Sequence, residues 1–261
     1  MGLVRADNQD FFGKFPEDSL DLSAPRGQLF IIADGMGGHY AGRKASELAV
    51  GTLAKSYFSA SVNGVMEGLQ EAFRKANQTI YEYSTSSPQY AGMGTTCTAL
   101  VFKDSHAYIG HIGDSRVYRI SKRRVLQLTK DHSKVAEMLR RGILTKQEAK
   151  THPERSHLYR ALGTRPVAEV DFINDISLDA NKYFLMCTDG LFNHVEEEEM
   201  QDLVLSNNPQ KASKLLIELA NERGGQDNIT VQVIRVNISH NYLQKILRGE
   251  GKYKAGVRTK S

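Results

Sequence analysis

Three aspartates close apolar runs in this chain and a fourth precedes one. FIIA (30–33) ends in Asp34-Gly35, AYIGHIG (107–113) in Asp114-Ser115 and FLMCT (184–188) in Asp189-Gly190, while NITVQVIRV (228–236) follows directly on Asp227. Asp10, after Asn8-Gln9, is a candidate fifth. One aspartate in such a place reads as a turn former. Four at the ends of converging central strands are different, because crowded carboxylates cannot all stay ionised without positive charge among them. Arg5 and Arg116 are candidate counter-charges. A cluster of mainly carboxylate oxygens is also the donor set of a hard divalent cation, so Mg²⁺ or Mn²⁺ fits. Zinc would require His and Cys at ligand spacing, a pattern this sequence lacks.

The stretch DGMGGHYAG (34–42) follows the first of these runs. Gly35 lets a backbone carbonyl approach a cation, and Gly37 and Gly38 let the chain turn away with unusual dihedrals. The same glycines match neither G-x-x-x-x-G-K-[ST] nor a well-placed G-x-G-x-x-G, which argues against a nucleotide-phosphate cradle.

The elements that would position these residues follow from periodicity. Ala45, Leu48, Ala49, Leu53 and Tyr57 form one helical stripe, and Leu69, Ala72, Phe73, Ala76 and Ile80 a second. A block of β signals follows, GTTCTALVF (94–102), SHAYIGHIG (105–113), SRVYRI (115–120) and RVLQLT (124–129), with short breaks that predict an antiparallel meander. Residues 133–160 are polar and helical in tendency and read as an insertion beside the core. Strand character returns at 168–178, 181–189 and 228–236. A helix is predicted at 196–206, opened by the acids Glu196–Glu199 that suit its N-terminal dipole. Another is marked by Ala212, Leu215, Leu216, Leu219 and Ala220. Consecutive strands without intervening helices argue against a doubly wound parallel sheet. They predict an α+β fold, a four-layer α-β-β-α sandwich in which two packed antiparallel sheets are flanked by helix pairs.

No run approaches 18 apolar residues, so no membrane span is expected, and the N-terminus lacks the apolar core of a secretory signal. Cys97 and Cys187 lie inside apolar runs and read as buried thiols of a reducing compartment. The chain's net charge of +4 is concentrated at its end: residues 237–261 carry six cations against Glu250, which leaves −1 for residues 1–236. That tail reads as a solvated linker. Nucleic-acid binding would need a stacking platform or a groove-reading helix, and Tyr242 and Tyr253 are thin support for one.

Eight motifs occur in order: VRADNQD (4–10), DGMGG (34–38), GTTCTAL (94–100), GDSRVY (113–118), TKDHS (129–133), LYRALGT (158–164), CTDGLFNHV (187–195) and QDNITV (226–231). Together they resemble the metal-dependent protein phosphatases of the PPM, or type 2C, family in their bacterial form, over almost all of residues 1–236. The resemblance implies the sandwich fold, with residues 133–160 as a flap subdomain and 237–261 as a basic tail. It implies two or three Mn²⁺ or Mg²⁺ ions, with Asp34 bridging two of them, Gly35 offering its carbonyl, and Asp189 and Asp227 holding the other. Asp114 would serve a third site with Asp189. Asp10 would act through waters of the metal shell, and Arg5 would grip the substrate phosphate. The implied reaction is hydrolysis of serine/threonine phosphomonoesters by a hydroxide bridging the metals, without a phosphoenzyme. The implied setting is the bacterial cytoplasm, where a monomer would act on phosphoproteins made by a serine/threonine kinase.

The chain departs from the family pattern at three places. Gln9 stands where the family has Glu, removing one charge near the metals. Met36 stands where animal members have the histidine proposed as general acid, and His39 is a candidate substitute. The chain also begins almost at VR, which with its basic end suits a domain cut from a longer protein. A second reading, a weakly active or silent phosphatase-like binding module, rests on Gln9 alone.

Overall fold

The computed structural model describes residues 2–18, 21–62, 64–178 and 182–236, with the backbone of 257–258 and His39 by its backbone alone. In chain order the elements are β1 (Asp10–Phe15), β2 (Gln28–Met36), α1 (His39–Ser59), α2 (Val65–Ser86), β3 (Gly94–Thr95), β4 (Cys97–Lys103), β5 (His106–Ile112), β6 (Arg116–Ile120), β7 (Val125–Gln127), α3 (Lys134–Arg140), α4 (Lys146–Thr151), β8 (Asp171–Ser177), β9 (Lys182–Cys187), α5 (Asp189–Phe192), α6 (Glu197–Ser206), α7 (Pro209–Glu222), β10 (Val231–Val236) and β11 (Val257–Arg258). Apart from the β11 pairing, the expected tail at 237–261 lies outside the described residues.

The strands form two antiparallel sheets. The first runs β1-β2-β4-β5-β8, with β3 on the end of β2; the second runs β11-β10-β9-β6-β7. Because side chains alternate across a strand, each sheet has two apolar faces to bury. On β2, Phe30 and Ile32 face inward with Leu100, Phe102 and Ile109 against Val117, Phe184, Met186 and Ile234 of the second sheet. The Phe102 and Phe184 rings meet edge-on at 5.0 Å across that interface. The alternate residues Leu29, Ile31 and Ala33 face outward onto α1 and α2, where Ala45, Ala49, Leu53, Tyr57, Leu69, Phe73 and Ile80 are buried. On the other side Tyr118, Leu185 and Val233 pack on Met200 and Val204 of α6 and Ala212, Leu216 and Ala220 of α7. The four-layer α-β-β-α sandwich expected from the sequence is the observed architecture.

Local chemistry accounts for the starts of α6 and α7. Glu196 and Glu199 form a reciprocal capping box at the start of α6, and the Asn208 side chain accepts from Lys211 N with Pro209 as the first residue of α7. No helix among the described residues is long and apolar enough to cross a membrane.

The predicted meander is not continuous. β4 pairs with β5 and β6 with β7, but β5 and β6 belong to different sheets. The chain leaves the first sheet at Gly113, whose φ is +107°, and the free edge of β5 is taken by β8. β1, which no periodicity in the sequence announces, forms the edge of the first sheet. Residues 133–160 carry two short polar helices, α3 and α4, capped by Ser133 and Thr145.

Candidate active site

Alternation of strand direction decides where the aspartates go. β2 and β5 flank β4 antiparallel, so their C-terminal ends, carrying Asp34-Gly35 and leading to Asp114, lie on the same side. β1 runs against β2, which sets Asp10 in register with Asp34. In the second sheet the C-terminal end of β9 and the N-terminal ends of β6 and β10 coincide, which brings Asp189, Asp114 and Asp227 together. Asp34, Asp114, Asp189 and Asp227 line one open pocket of about 300 Å³, together with Arg5, Gln9, Gly35, Met36, Ser156 and Leu158. Asp10 lies beneath it, 5% exposed.

β2 continues through Asp34 and Gly35 to Met36, paired on β3, rather than ending at Ala33. A Cβ at Gly35 would lie 2.0 Å from the Gly42 carbonyl oxygen of α1, so only glycine allows this approach. Gly37 and Gly38 both take positive φ, as their sequence predicted.

Burial pushes the ring of carboxyls toward their protonated forms. Asp189 is raised to about 7 by burial and then by the charges of Asp227 and Asp10. Asp10 is raised to about 6 by burial, against hydrogen bonds from Thr230 and Thr188 that favour its charged form. Asp34 and Asp114 are held well above the usual carboxylate range, again first by burial and then by their acidic neighbours. Asp10 Oδ1 and Asp189 Oδ1 are buried without a hydrogen-bond partner. Orphaned carboxylate oxygens in a ring of like charge fit a hard divalent cation, which offsets both costs. Among the described residues no three His, Cys, Asp or Glu side chains stand close enough together to hold a metal ion by themselves. The open arrangement suits Mg²⁺ and Mn²⁺, which keep several waters and need few protein ligands.

The two candidate counter-charges differ. Arg5 is 57% exposed at the rim and forks Asp227, Nε to Oδ1 at 3.0 Å and Nη2 to Oδ2 at 2.9 Å. Arg116 does not join the ring; its guanidinium forks Asp131 at 2.7–3.1 Å and stacks on Phe192, 3.5 Å from the ring centroid.

Several supporting residues escaped the sequence reading. Thr188 and Thr230 hydroxyls donate to Asp10 Oδ2 at 2.9 and 2.7 Å. Asn228 clasps the N-terminal segment, accepting from Gln9 N at 2.8 Å and donating to the Asp7 carbonyl at 3.0 Å. His132 takes Gly113 N–H on Nδ1 at 3.2 Å, which leaves its proton on Nε2, facing Asp171 at 3.2 Å. Each neighbours a motif aspartate or belongs to a quoted motif, but only pairing across strands reveals the bonds. His39 opens α1, and its side chain, considered as an acid, lies outside the described residues. Cys97 and Cys187 are buried free thiols, as expected.

The family model described as protein phosphatase 2C matches residues 8–224. The chain is 36% identical over 241 residues to protein phosphatase PhpP of Streptococcus pneumoniae, covering 91% of this chain and 95% of that one. It is 37% identical over 243 residues to the serine/threonine phosphatase stp of Listeria welshimeri, covering 91% and 93%. The structure resembles the crystal structure of the Mycobacterium tuberculosis serine/threonine phosphatase PstP/Ppp with a TM-score of 0.78 and 35% identity, over 92% of this chain and 95% of that one. It also resembles the catalytic domain of PstP in complex with two manganese ions, with a TM-score of 0.75 and 33% identity, over 89% and 93% of the two chains.

Proposed function

The chain belongs to the protein phosphatase 2C family, and on that premise we propose that it is a divalent-metal-dependent serine/threonine phosphoprotein phosphatase whose metal ligands are Asp34, Gly35, Asp189, Asp227 and Asp114. The observation that carries this reading is the ring of carboxylates around one open pocket with a rim arginine. Mn²⁺ or Mg²⁺, two or three ions, would supply Lewis-acid activation of water and offset phosphate charge.

The chain's own groups have distinct parts. Asp34 stands at the centre, its backbone N–H held by Thr96 Oγ1 at 2.9 Å and its carbonyl by Thr95 Oγ1 at 2.8 Å. Asp10, fixed through Oδ2, leaves Oδ1 to accept a hydrogen bond from water in the ring. Arg5 moves from Asp227 onto two phosphate oxygens, a fork geometry that suits both partners. Residues 133–160 act as a flap, since Ser156 and Leu158 reach the pocket wall. The substrates are phosphoserine and phosphothreonine proteins made by a bacterial kinase. The protein works as a monomer in the cytoplasm, where its two free thiols are stable.

Hydrolysis of p-nitrophenyl phosphate and a phosphothreonine peptide in Mn²⁺, Mg²⁺ or EDTA tests this. Metal-dependent turnover is expected. Measured Mn²⁺ binding without turnover on either substrate would overturn the enzymatic reading.

A further inference from the structure

Gly113, where the chain crosses between the sheets, is gripped at both of its backbone groups by one residue. His132 N–H donates to the Gly113 carbonyl at 2.8 Å, and Gly113 N–H donates to His132 Nδ1 at 3.2 Å. Gly113 is itself buried and holds a φ of +107°. The next residue is Asp114, whose carboxyl lines the pocket. A glycine has no Cβ to restrict its dihedrals, so any rotation there passes directly to Asp114 unless partners fix the turn.

The imidazole that does the fixing is held on several sides. His132 is 2% exposed. Its Nε2 faces Asp171 Oδ2 at 3.2 Å, and Arg160 Nη1 donates to Asp171 Oδ1 at 3.0 Å. A carboxylate at Nε2 keeps the proton there and leaves Nδ1 bare, the tautomer able to accept from Gly113. The His111 ring lies against His132 with centroids 4.9 Å apart, and is pinned between Thr98 Oγ1 at 2.8 Å and the Lys130 carbonyl at 3.0 Å. The main chain of His132 is anchored too, since its carbonyl accepts Tyr159 N–H at 3.0 Å. His132 is absent from the described residues that line the pocket, so its influence there passes through its neighbours.

We propose that His132, oriented by Asp171 and Arg160, is a positioning residue that locks the Gly113 turn and so aims the Asp114 carboxyl into the pocket for a cation. Without Nδ1 the buried Gly113 N–H has no acceptor, and the turn relaxes toward another, taking Asp114 with it. The inference rests on the reading of Asp114 as a metal ligand.

The test is calorimetric titration of Mn²⁺ into the full chain without substrate. His132→Ala should weaken Mn²⁺ binding roughly tenfold or more. His132→Asn should bind Mn²⁺ like the parent, because asparagine carries an acceptor oxygen on Cγ where histidine carries Nδ1. Asp171→Ala should weaken binding in the same direction; its side chain is 41% exposed, so the fold should hold even if His132→Ala does not. In an Asp114→Asn background neither alanine variant should weaken binding further, since both act through that carboxyl. Parent-like binding in His132→Ala or Asp171→Ala, binding in His132→Asn as weak as in His132→Ala, or undiminished effects in the Asp114→Asn background would each overturn the proposal. Parent-like binding in Asp114→Asn itself would strike the ligand assignment and this proposal with it, whereas weakening in Asp114→Asn without weakening in His132→Ala strikes only the part given to His132.

Discussion

Asp10 and Asp34 face each other in register across β1 and β2, two carboxyls on adjacent edge and inner strands of one sheet. Opposed positions in an antiparallel pair set Cβ atoms about 5 Å apart, and like charges there are destabilising. Thr188 and Thr230, reaching over from the second sheet, donate to Asp10 and hold it in place. The site is thus assembled across the sandwich interface.

The hydroxyl support can be removed without touching a proposed ligand. In Thr230→Val the Oγ1 donor to Asp10 is lost while the backbone N–H keeps its bond to Thr188 Oγ1. Half-saturation by Mn²⁺ should rise by roughly 10–100-fold, the usual cost of losing an outer partner of a metal site. Unchanged Mn²⁺ dependence would remove Asp10 from the metal shell.

Asp189→Ala deletes a proposed ligand and relieves charge on Asp10, Asp34 and Asp114. Turnover should fall on the order of 10²-fold or more, while the apoprotein should not be destabilised, because an orphaned buried oxygen disappears with the side chain. Retention of most Mn²⁺-dependent activity would refute the ligand assignment.

Arg5→Ala removes the rim fork and frees Asp227. KM for a phosphopeptide should rise about tenfold, equivalent to ~1.4 kcal/mol, with a smaller change in kcat. A fall confined to kcat would place Arg5's effect in the transition state instead.

The raised carboxyls make the apoprotein less stable as pH rises. Asp10 at about 6 and Asp189 at about 7 lie above the ordinary 3.8, so the native state binds more protons than the unfolded state between these limits. That stabilisation is complete below about pH 4 and is lost progressively up to about pH 7. Denaturant midpoints in EDTA should therefore fall from pH 5 to pH 7.5, and Mn²⁺ should reverse the trend by binding the ionised forms. A flat or rising apoprotein profile would contradict the crowding described here.

Gly113→Ala tests the crossover between the sheets. Its φ is +107°, and a Cβ there would lie 2.5 Å from the Thr96 side chain. The substitution should cost about 1–3 kcal/mol in unfolding free energy and reduce turnover through displacement of Asp114. Stability equal to the parent would show that the turn relaxes freely.

Much of this protein was legible in its sequence. The apolar run FIIA, the alternation in VQVIRV, the helical stripes and the acidic start of α6 are local signals, and each formed the element expected of it. The aspartates also announced themselves, because a carboxylate beside a buried strand end is conspicuous in one dimension. What only the tertiary structure decided is pairing. Nothing local says that β5 and β6 part at Gly113, that DFFGKF joins an edge, or that Thr230 meets Asp10, 220 residues away in sequence. Arg116 shows the same limit: its charge was visible, but whether it joined the acidic ring or Asp131 depended on the path of β6 and the loop after β7. Secondary structure follows from neighbours a few residues apart, whereas a site built where two sheets meet follows from strand order, and strand order is fixed by which long-range burial costs least.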